Sequence, residues 1–422
     1  MSTEFHVEDV RVTTLSNGLR VVSESVPYVR SAAVGLWAGA GSRDETPRNR
    51  GISHFIEHML FKGTSQRTAR EIASEIESRG GHLNAFTGKE STCYHARILA
   101  DDCETAVDVL TDMLCNSLFM EEEIEREKGV VISEIKMYED SPDDLVHDVF
   151  ESTLWHGHPL GAPVIGSEKT VGGFTRTAIT GYIAERYRPD RIILSAAGLV
   201  DHDRLVSQAE RALGSLSGEV KARAAEPPTP TTKRKQIHKR DVEQVSFCLG
   251  TGAYSKFDRE KYSLSILNDA LGGNMSSRLF SEIREKRGLA YAIGSYARTY
   301  KEGGLFCVYG GTKPEALDQV IELTRAEFAQ VRSEGLTEEE IVKGKRQVRG
   351  ELVLGLESMA ARMARYGEHL LTFGRVIPLN EILAEYDRVS GATIAEVADK
   401  VLDLDKLALA TVGPYGKYGQ AA

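Results

Sequence analysis

Little in this chain of 422 residues points to disulfides, membranes or nucleic acid. Its five cysteines (Cys93, Cys103, Cys115, Cys248 and Cys307) are odd in number and form no CxxC pair. Neither a disulfide framework nor a thiolate metal knuckle is therefore expected. They read as buried thiols of a reducing cytoplasm, and any metal must find other ligands. No apolar run reaches the ~18 residues that a membrane span requires. The opening "MSTEFHVEDVRV" has no basic start followed by an apolar stretch, and it is not rich in Arg and Ser. Secretory signals and mitochondrial presequences show those features, so a cytoplasmic protein without a membrane partner is expected. A net charge of -10 speaks against nucleic acid or an anionic surface as the main partner.

What is present begins with length, which exceeds one compact core and implies two or more domains. "VRVTTLSNGLRVVSESV" alternates apolar and polar residues around Asn17-Gly18, a hairpin signal. A small-residue strand follows over 31–41. The run "GISHFIEHMLFKGT" (51–64) has helical spacing, with Gly63 as its stop and Lys62 in its last turn. Thr68 can cap a second helix that the Gly80-Gly81 pair ends. Strands at "HLNAFTG" and "TCYHARIL" precede a helix over about 102–116 and a long charged helix over 121–139.

"AEPPTPTTKRK" (225–235) carries three prolines and no periodicity, which marks a linker. Beyond it the first half recurs in outline. "VSFCLGTGAY" answers "AAVGLWAGAG", and "GLFCVYGGTKPEALDQVIEL" answers "TCYHARILADDCETAVDVLT"; "GLTEEEIVKGKRQVRGELVL" answers "FMEEEIEREKGVVISEIKMY". The expected fold is α+β: two similar sandwich-like domains of about 200 residues, each a mainly antiparallel sheet packed by helices, related by internal duplication. The domains are expected at 1–222 and 236–422, with a linker at 223–235. An offset of 212 sets Ile266, Asp269 and Ala270 opposite His54, Glu57 and His58, so only the first half can hold a metal in this way.

Residues i and i+4 of a helix lie about 40° apart around the axis, so His54 and His58 can direct their imidazoles at one point. Glu57 lies at the edge of that face. HxxEH is the reverse of the HExxH zinc helix. A lone histidine on an apolar helix is usually a packed or surface residue, and the pair with a glutamate lifts the metal reading to even terms with that one. Such a site needs a third ligand and an open position. Glu127 and Glu134, about two turns apart, share a face of the long helix. Glu134 could complete a His₂Glu set and Glu127 could orient a ligand, or both could be solvated; spacing alone leaves this open. "WHGHP" (155–159) is a weak metal spacing, "EEEIEREK" is mainly a solvated face, and "KRKQIHKR" (233–240) is a basic stretch at the linker.

"GSRDE" ahead of "RGISHFIEHMLFKGT", then "GGHLNAFTGKESTCYHA" and "EREKGVVISEI", resemble the M16 peptidases, inverse-motif zinc enzymes, in matching order over essentially the whole chain. The length is similar to that of the half-sized, processing-peptidase-like members. The resemblance implies one zinc per chain on His54, His58 and Glu134, Glu57 as general base, and Glu127 as the second acidic position. It implies that Asn84, Ala85 and Phe86 pair with an extended peptide by strand addition. In "RLFSEIREKRGLAY" it assigns Arg284 and Tyr291 to the oxyanion, whereas the residues alone read as a helix end followed by a strand. It further implies a dimer, with itself or a related chain, in which the partner copy supplies Arg284 and Tyr291. The expected function is a zinc endopeptidase acting on extended or unfolded segments. The competing readings are a non-catalytic subunit of a heteromeric complex and a metal-dependent hydrolase of a non-peptide substrate. "LGGNMSS" is short beside the glycine-rich loop of the non-catalytic processing-peptidase partner, which counts against the inactive role.

Overall fold

The computed structural model describes residues 9–220, 226–231 and 235–414; residues 223–225 and 232–234 of the expected linker lie outside the described residues. In chain order the first half gives β1 (Val10–Thr14), β2 (Arg20–Ser25), β3 (Ser31–Ala38), α1 (Ile52–Met59), α2 (Ala69–Glu77), β4 (His82–Thr87) and β5 (Thr92–Leu99). Then come α3 (Cys103–Asn116), α4 (Glu121–Glu139), α5 (Pro142–Leu154), α6 (Glu168–Gly172), α7 (Arg176–Arg186), β6 (Ile192–Gly198) and α8 (His202–Leu213). The second half gives β7 (Lys235–Lys239), β8 (Val245–Ala253), α9 (Lys261–Asn268), β9 (Ala290–Thr299) and β10 (Gly304–Thr312). It ends with α10 (Leu317–Glu334), α11 (Glu338–Gly355), α12 (Met359–Phe373), α13 (Leu379–Asp387), α14 (Gly391–Val401) and β11 (Ala408–Gly413).

The expected α+β duplication is visible in the sheets. One sheet runs β1-β2-β6-β3-β5-β4 and the other β7-β11-β8-β10-β9. From β2 and from β7 onward, strand order and direction coincide: a parallel pair first, then antiparallel neighbours throughout. Asn17 and Gly18 make the first turn as read from sequence. Gly18 takes φ 93, and the Asn17 amide bonds the Leu213 carbonyl at 2.8 Å.

The compact units differ from contiguous halves. One gathers the described residues of Met1–Ile135, Pro163–Arg223 and Val353–Asn380, the other those of Lys136–Ala162, Ala224–Leu352 and Glu381–Ala422. Each sheet thus takes a helix from the other half of the chain. In the first unit, Val34, Leu36, Tyr94 and Ala96 join the core beneath α1, α3 and α8. Alternating residues of the same strands face the opposite way: Ala33, Trp37 and Cys93 pack with Met363, Tyr366 and Leu370 of α12. Gly35 and Gly367 permit that approach, since a Cβ on Gly35 would strike Met363 and one on Gly367 would strike the Trp37 indole. In the second unit α5 buries Val146, Val149, Phe150 and Leu154 against Cys248, Ala408, Ala410 and Val412. Amphipathic periodicity fixes which face of a helix is buried, not which sheet buries it.

The cysteines are all free, as expected, but Cys115 is exposed and not buried. It is the second-last residue of α3, where the core no longer covers it. Among the described residues no helix is long and apolar enough to cross a membrane.

Candidate metal centre

Helix α1 alternates apolar side chains with Ser53, His54, Glu57 and His58. Ile52, Phe55, Ile56 and Met59 are fully buried, which turns His54, Glu57 and His58 toward the opposite side. The helix is shorter than the expected run to Gly63. After Met59 the chain tightens through Phe61 N–H to His58 and Lys62 N–H to Met59 bonds, and Gly63 leaves in the left-handed region at φ 110.

His54 and His58 sit one turn apart with ring centroids 4.6 Å apart. From α4, Glu134 reaches both: Oε1 lies 3.8 Å from His54 Nε2 and Oε2 lies 3.6 Å from His58 Nε2. Two donors on one tetrahedral zinc stand about 3.3 Å apart, so each Glu134–imidazole separation lies within about 0.5 Å of that spacing. Among the described residues, His54, His58 and Glu134 are the one group of three such side chains able to hold a metal ion, their ligand atoms all within 4.8 Å of one another. Two imidazoles and a carboxylate suit zinc in charge and donor type.

Burial prepares the His54 imidazole as a ligand. Burial, with the charge of His58 adding to it, lowers His54 to about 4, so its ring is neutral at pH 7. Its Nδ1 is buried without a hydrogen-bond partner, which leaves Nε2 as the nitrogen facing Glu134. Glu127, 2% exposed, bridges His58 Nδ1 at 2.8 Å and Lys62 Nζ at 2.6 Å. Burial works to raise Glu127, but those two bonds outweigh it and hold the carboxyl below its ordinary range. Burial works to lower His58, and the bond and charge of Glu127 overcome it. With Nδ1–H given to Glu127, His58 Nε2 is the atom left for a metal. Glu57 is outside the donor group; its carboxylate accepts the Thr87 hydroxyl from the end of β4. Burial raises Glu57 above the usual carboxylate range, only partly offset by Thr87.

Asn84, Ala85 and Phe86 lie on β4, the last strand of its sheet. Asn84 and Phe86 are exposed, and Asn84 Oδ1 accepts the Ala85 N–H at 2.8 Å. Phe86 meets Trp37 edge to face at 5.5 Å. Arg284 and Tyr291 belong to the other unit. Within it they come together: the guanidinium lies 4.7 Å from the Phe280 ring centroid and 5.3 Å from that of Tyr291. Tyr291 is 79% exposed on β9, the last strand of its sheet.

The weaker motifs, Glu127 apart, make local structural contacts. His158 accepts the Leu160 N–H and pairs with the Glu226 carbonyl. The "EEEIEREK" stretch forms exposed pairs between Arg126 and Glu122 or Glu123. Sequence reading missed Thr87 and Lys62. A hydroxyl inside a strand carries no spacing signal, and the role of Lys62 depends on α1 ending early.

The family model described as Insulinase (Peptidase family M16) matches residues 20–168, and the model described as Peptidase M16 inactive domain matches residues 173–348. An uncharacterized zinc protease of Bacillus subtilis is 42% identical over 403 residues, covering 96% of this chain and 98% of the relative. Another, from Streptomyces coelicolor, is 42% identical over 419 residues, covering 97% and 91%. The crystal structure of a protease from Helicobacter pylori shares the fold, with a TM-score of 0.89 at 22% identity over 97% of this chain and all of that one. With the inverse zinc helix, a carboxylate brought to it from α4, and full-length relatives named as zinc proteases, this chain belongs to peptidase family M16.

Proposed function

We propose that the chain is a zinc-dependent endopeptidase that cleaves extended peptides or unfolded segments. The observation that carries this reading is the convergence of His54 Nε2, His58 Nε2 and the Glu134 carboxylate beside a Glu57 that is not used as a ligand. One zinc per chain, held by His54, His58 and Glu134, would supply a Lewis-acid charge that polarises a peptide carbonyl and lowers the pKa of water. Glu57 takes the proton of the attacking water and delivers it to the leaving amine. The Thr87 hydroxyl fixes one oxygen of Glu57, leaving the other for the proton. The open edge of β4 at Asn84, Ala85 and Phe86 pairs with the substrate backbone, which favours extended chains over folded ones. Arg284 and Tyr291, supplied by a second copy or a related chain, steady the oxyanion.

The deciding experiment compares the parent with Glu57→Gln for zinc content and for cleavage of unstructured peptides. One zinc in both, with cleavage lowered at least ~100-fold in the variant, is expected. Near-parent turnover in Glu57→Gln, or a parent that holds no zinc, would refute the assignment.

A further inference from the structure

We propose that Glu45 is the positioning residue of the metal helix: it supplies from a distance the cap that α1 lacks and so sets where His54, Glu57 and His58 point. This rests on the reading of His54 and His58 as metal ligands. The residue at the foot of α1 is Gly51, which has no side chain to cap with and stands at φ 89. The first amides of a helix have no partner within it. Here Glu45, 3% exposed, accepts Gly51 N–H at 2.7 Å on one oxygen and Ser53 N–H at 2.9 Å on the other. Ser53 Oγ continues to the Tyr182 hydroxyl at 3.0 Å.

The carboxylate is itself held in place. The "GSRDE" segment that carries it bonds the turn after β4, through Ser42 N–H to Gly88 at 3.2 Å and Arg43 N–H to Lys89 at 2.9 Å. A Cβ on Gly41 would lie 2.5 Å from the Gly88 carbonyl oxygen, so the approach is as close as backbone allows. Arg43 also pairs with Glu90 at 3.2 Å. One segment therefore grips the end of β4 with its backbone and the foot of α1 with Glu45. Thr87, at that end of β4, is the residue that bonds Glu57. An α1 of only eight residues has no further turn to absorb a shift at its foot, so loosening Glu45 moves both imidazoles and the base together.

The test titrates zinc(II) and cobalt(II) into metal-free parent, Glu45→Ala and Glu45→Gln, with folding checked by circular dichroism and melting. Cobalt absorption reads ligand geometry independently of activity. Glu45→Ala should bind both metals at least ~10-fold more weakly and show an altered cobalt spectrum. Glu45→Gln keeps one acceptor oxygen and should fall between. Glu24→Gln is the control: Glu24 is equally buried in this unit and holds Arg362 and Tyr366 of α12, so it should lower stability and leave the cobalt spectrum unchanged. A folded Glu45→Ala with parent-like affinity and spectrum overturns the proposal. If Glu45→Ala does not fold, Glu45→Gln decides by the same criterion. A parent that binds no cobalt overturns the ligand assignment itself, a result distinct from variants that match a binding parent.

Discussion

Replacing Glu127 tests how much of the metal affinity is built outside the ligands. Its carboxylate spans His58 Nδ1 at 2.8 Å and Lys62 Nζ at 2.6 Å while itself 2% exposed. In Glu127→Ala the His58 ring loses the acceptor that fixes its orientation and its protonated nitrogen. Partners of this kind contribute 10- to 100-fold to metal affinity, or about 1.4–2.8 kcal/mol. Lys62 is left without its counter-charge, so the metal-free protein should also lose stability, by about 1–3 kcal/mol. Glu127→Gln retains an oxygen for His58 but no charge for Lys62, so it should lose less affinity than stability. Adding Lys62→Met to Glu127→Ala should restore part of the stability and none of the affinity, because only the first loss comes from the stranded ammonium. The pH sign follows from the lowered Glu127. Its stabilisation is present above the ordinary glutamate value of about 4.3 and is lost as pH falls through its lower folded value. The melting deficit of Glu127→Ala should therefore shrink in acid. The assay is competition for zinc against a chromophoric chelator at pH 7, with metal-free melting alongside. A Glu127→Ala affinity within about threefold of parent, where the reasoning requires tenfold or more, would refute it.

Glu45 gives the opposite pH dependence: burial raises it to about 7 against the pull of the Ser53 and Gly51 N–H bonds. The metal-free fold then holds a proton that the unfolded chain releases, so stability should fall as pH rises from about 4.3 to about 7. Glu45→Gln should lose that slope, and equal slopes in melting scans would count against the shift. Gly367→Ala should destabilise by at least ~1–3 kcal/mol, since its Cβ would strike the Trp37 indole; an unchanged denaturant midpoint would deny the close approach of α12. Mixing Glu57→Gln with Tyr291→Phe should recover part of the activity lost by each, if the partner copy supplies Tyr291. No recovery, with subunit exchange verified by mass, places that hydroxyl in the chain that holds the zinc.

The parts legible in sequence were those with local causes. Helix α4 spans Glu121–Glu139, as its charge pattern indicated. Thr68 caps the second helix as expected, and Glu71 completes a capping box with it, because both partners lie within one turn. The HxxEH spacing places two imidazoles at one point through helix geometry alone. Glu134 against Glu127 was different. Both are acidic, both share a face, and only tertiary structure shows one meeting the two Nε2 atoms and the other behind His58. The exchange of α5 and α12 was also silent, since an apolar stripe fits either sheet. Glu45 was quoted within a family motif, yet its bonds are to backbone N–H groups, which carry no residue signature.

The duplicated half shows what the metal centre requires by how it is filled instead. Both sheets keep one strand order, so the divergence lies in the helices that correspond to α1 and α4. Aligning the starts of α4 and α11, Glu121 with Glu338, shifts the offset from 212 to 217 and sets Gly344 opposite Glu127. A Cβ on Gly344 would lie 2.9 Å from Ile266 Cγ2, and Ile266 stands opposite His54. The space for a metal and its supporting carboxylate is thus closed by direct contact between an isoleucine and a bare helix backbone. Asp269, opposite Glu57, is turned to Asn274 at 2.7 Å. This second core sets an isoleucine and an alanine opposite His54 and His58, so the first gives up apolar contact at two positions of one short helix. The pairing of buried Glu127 with His58 and the half-buried Lys62 offsets part of that loss, because a polar group taken into the interior needs a partner.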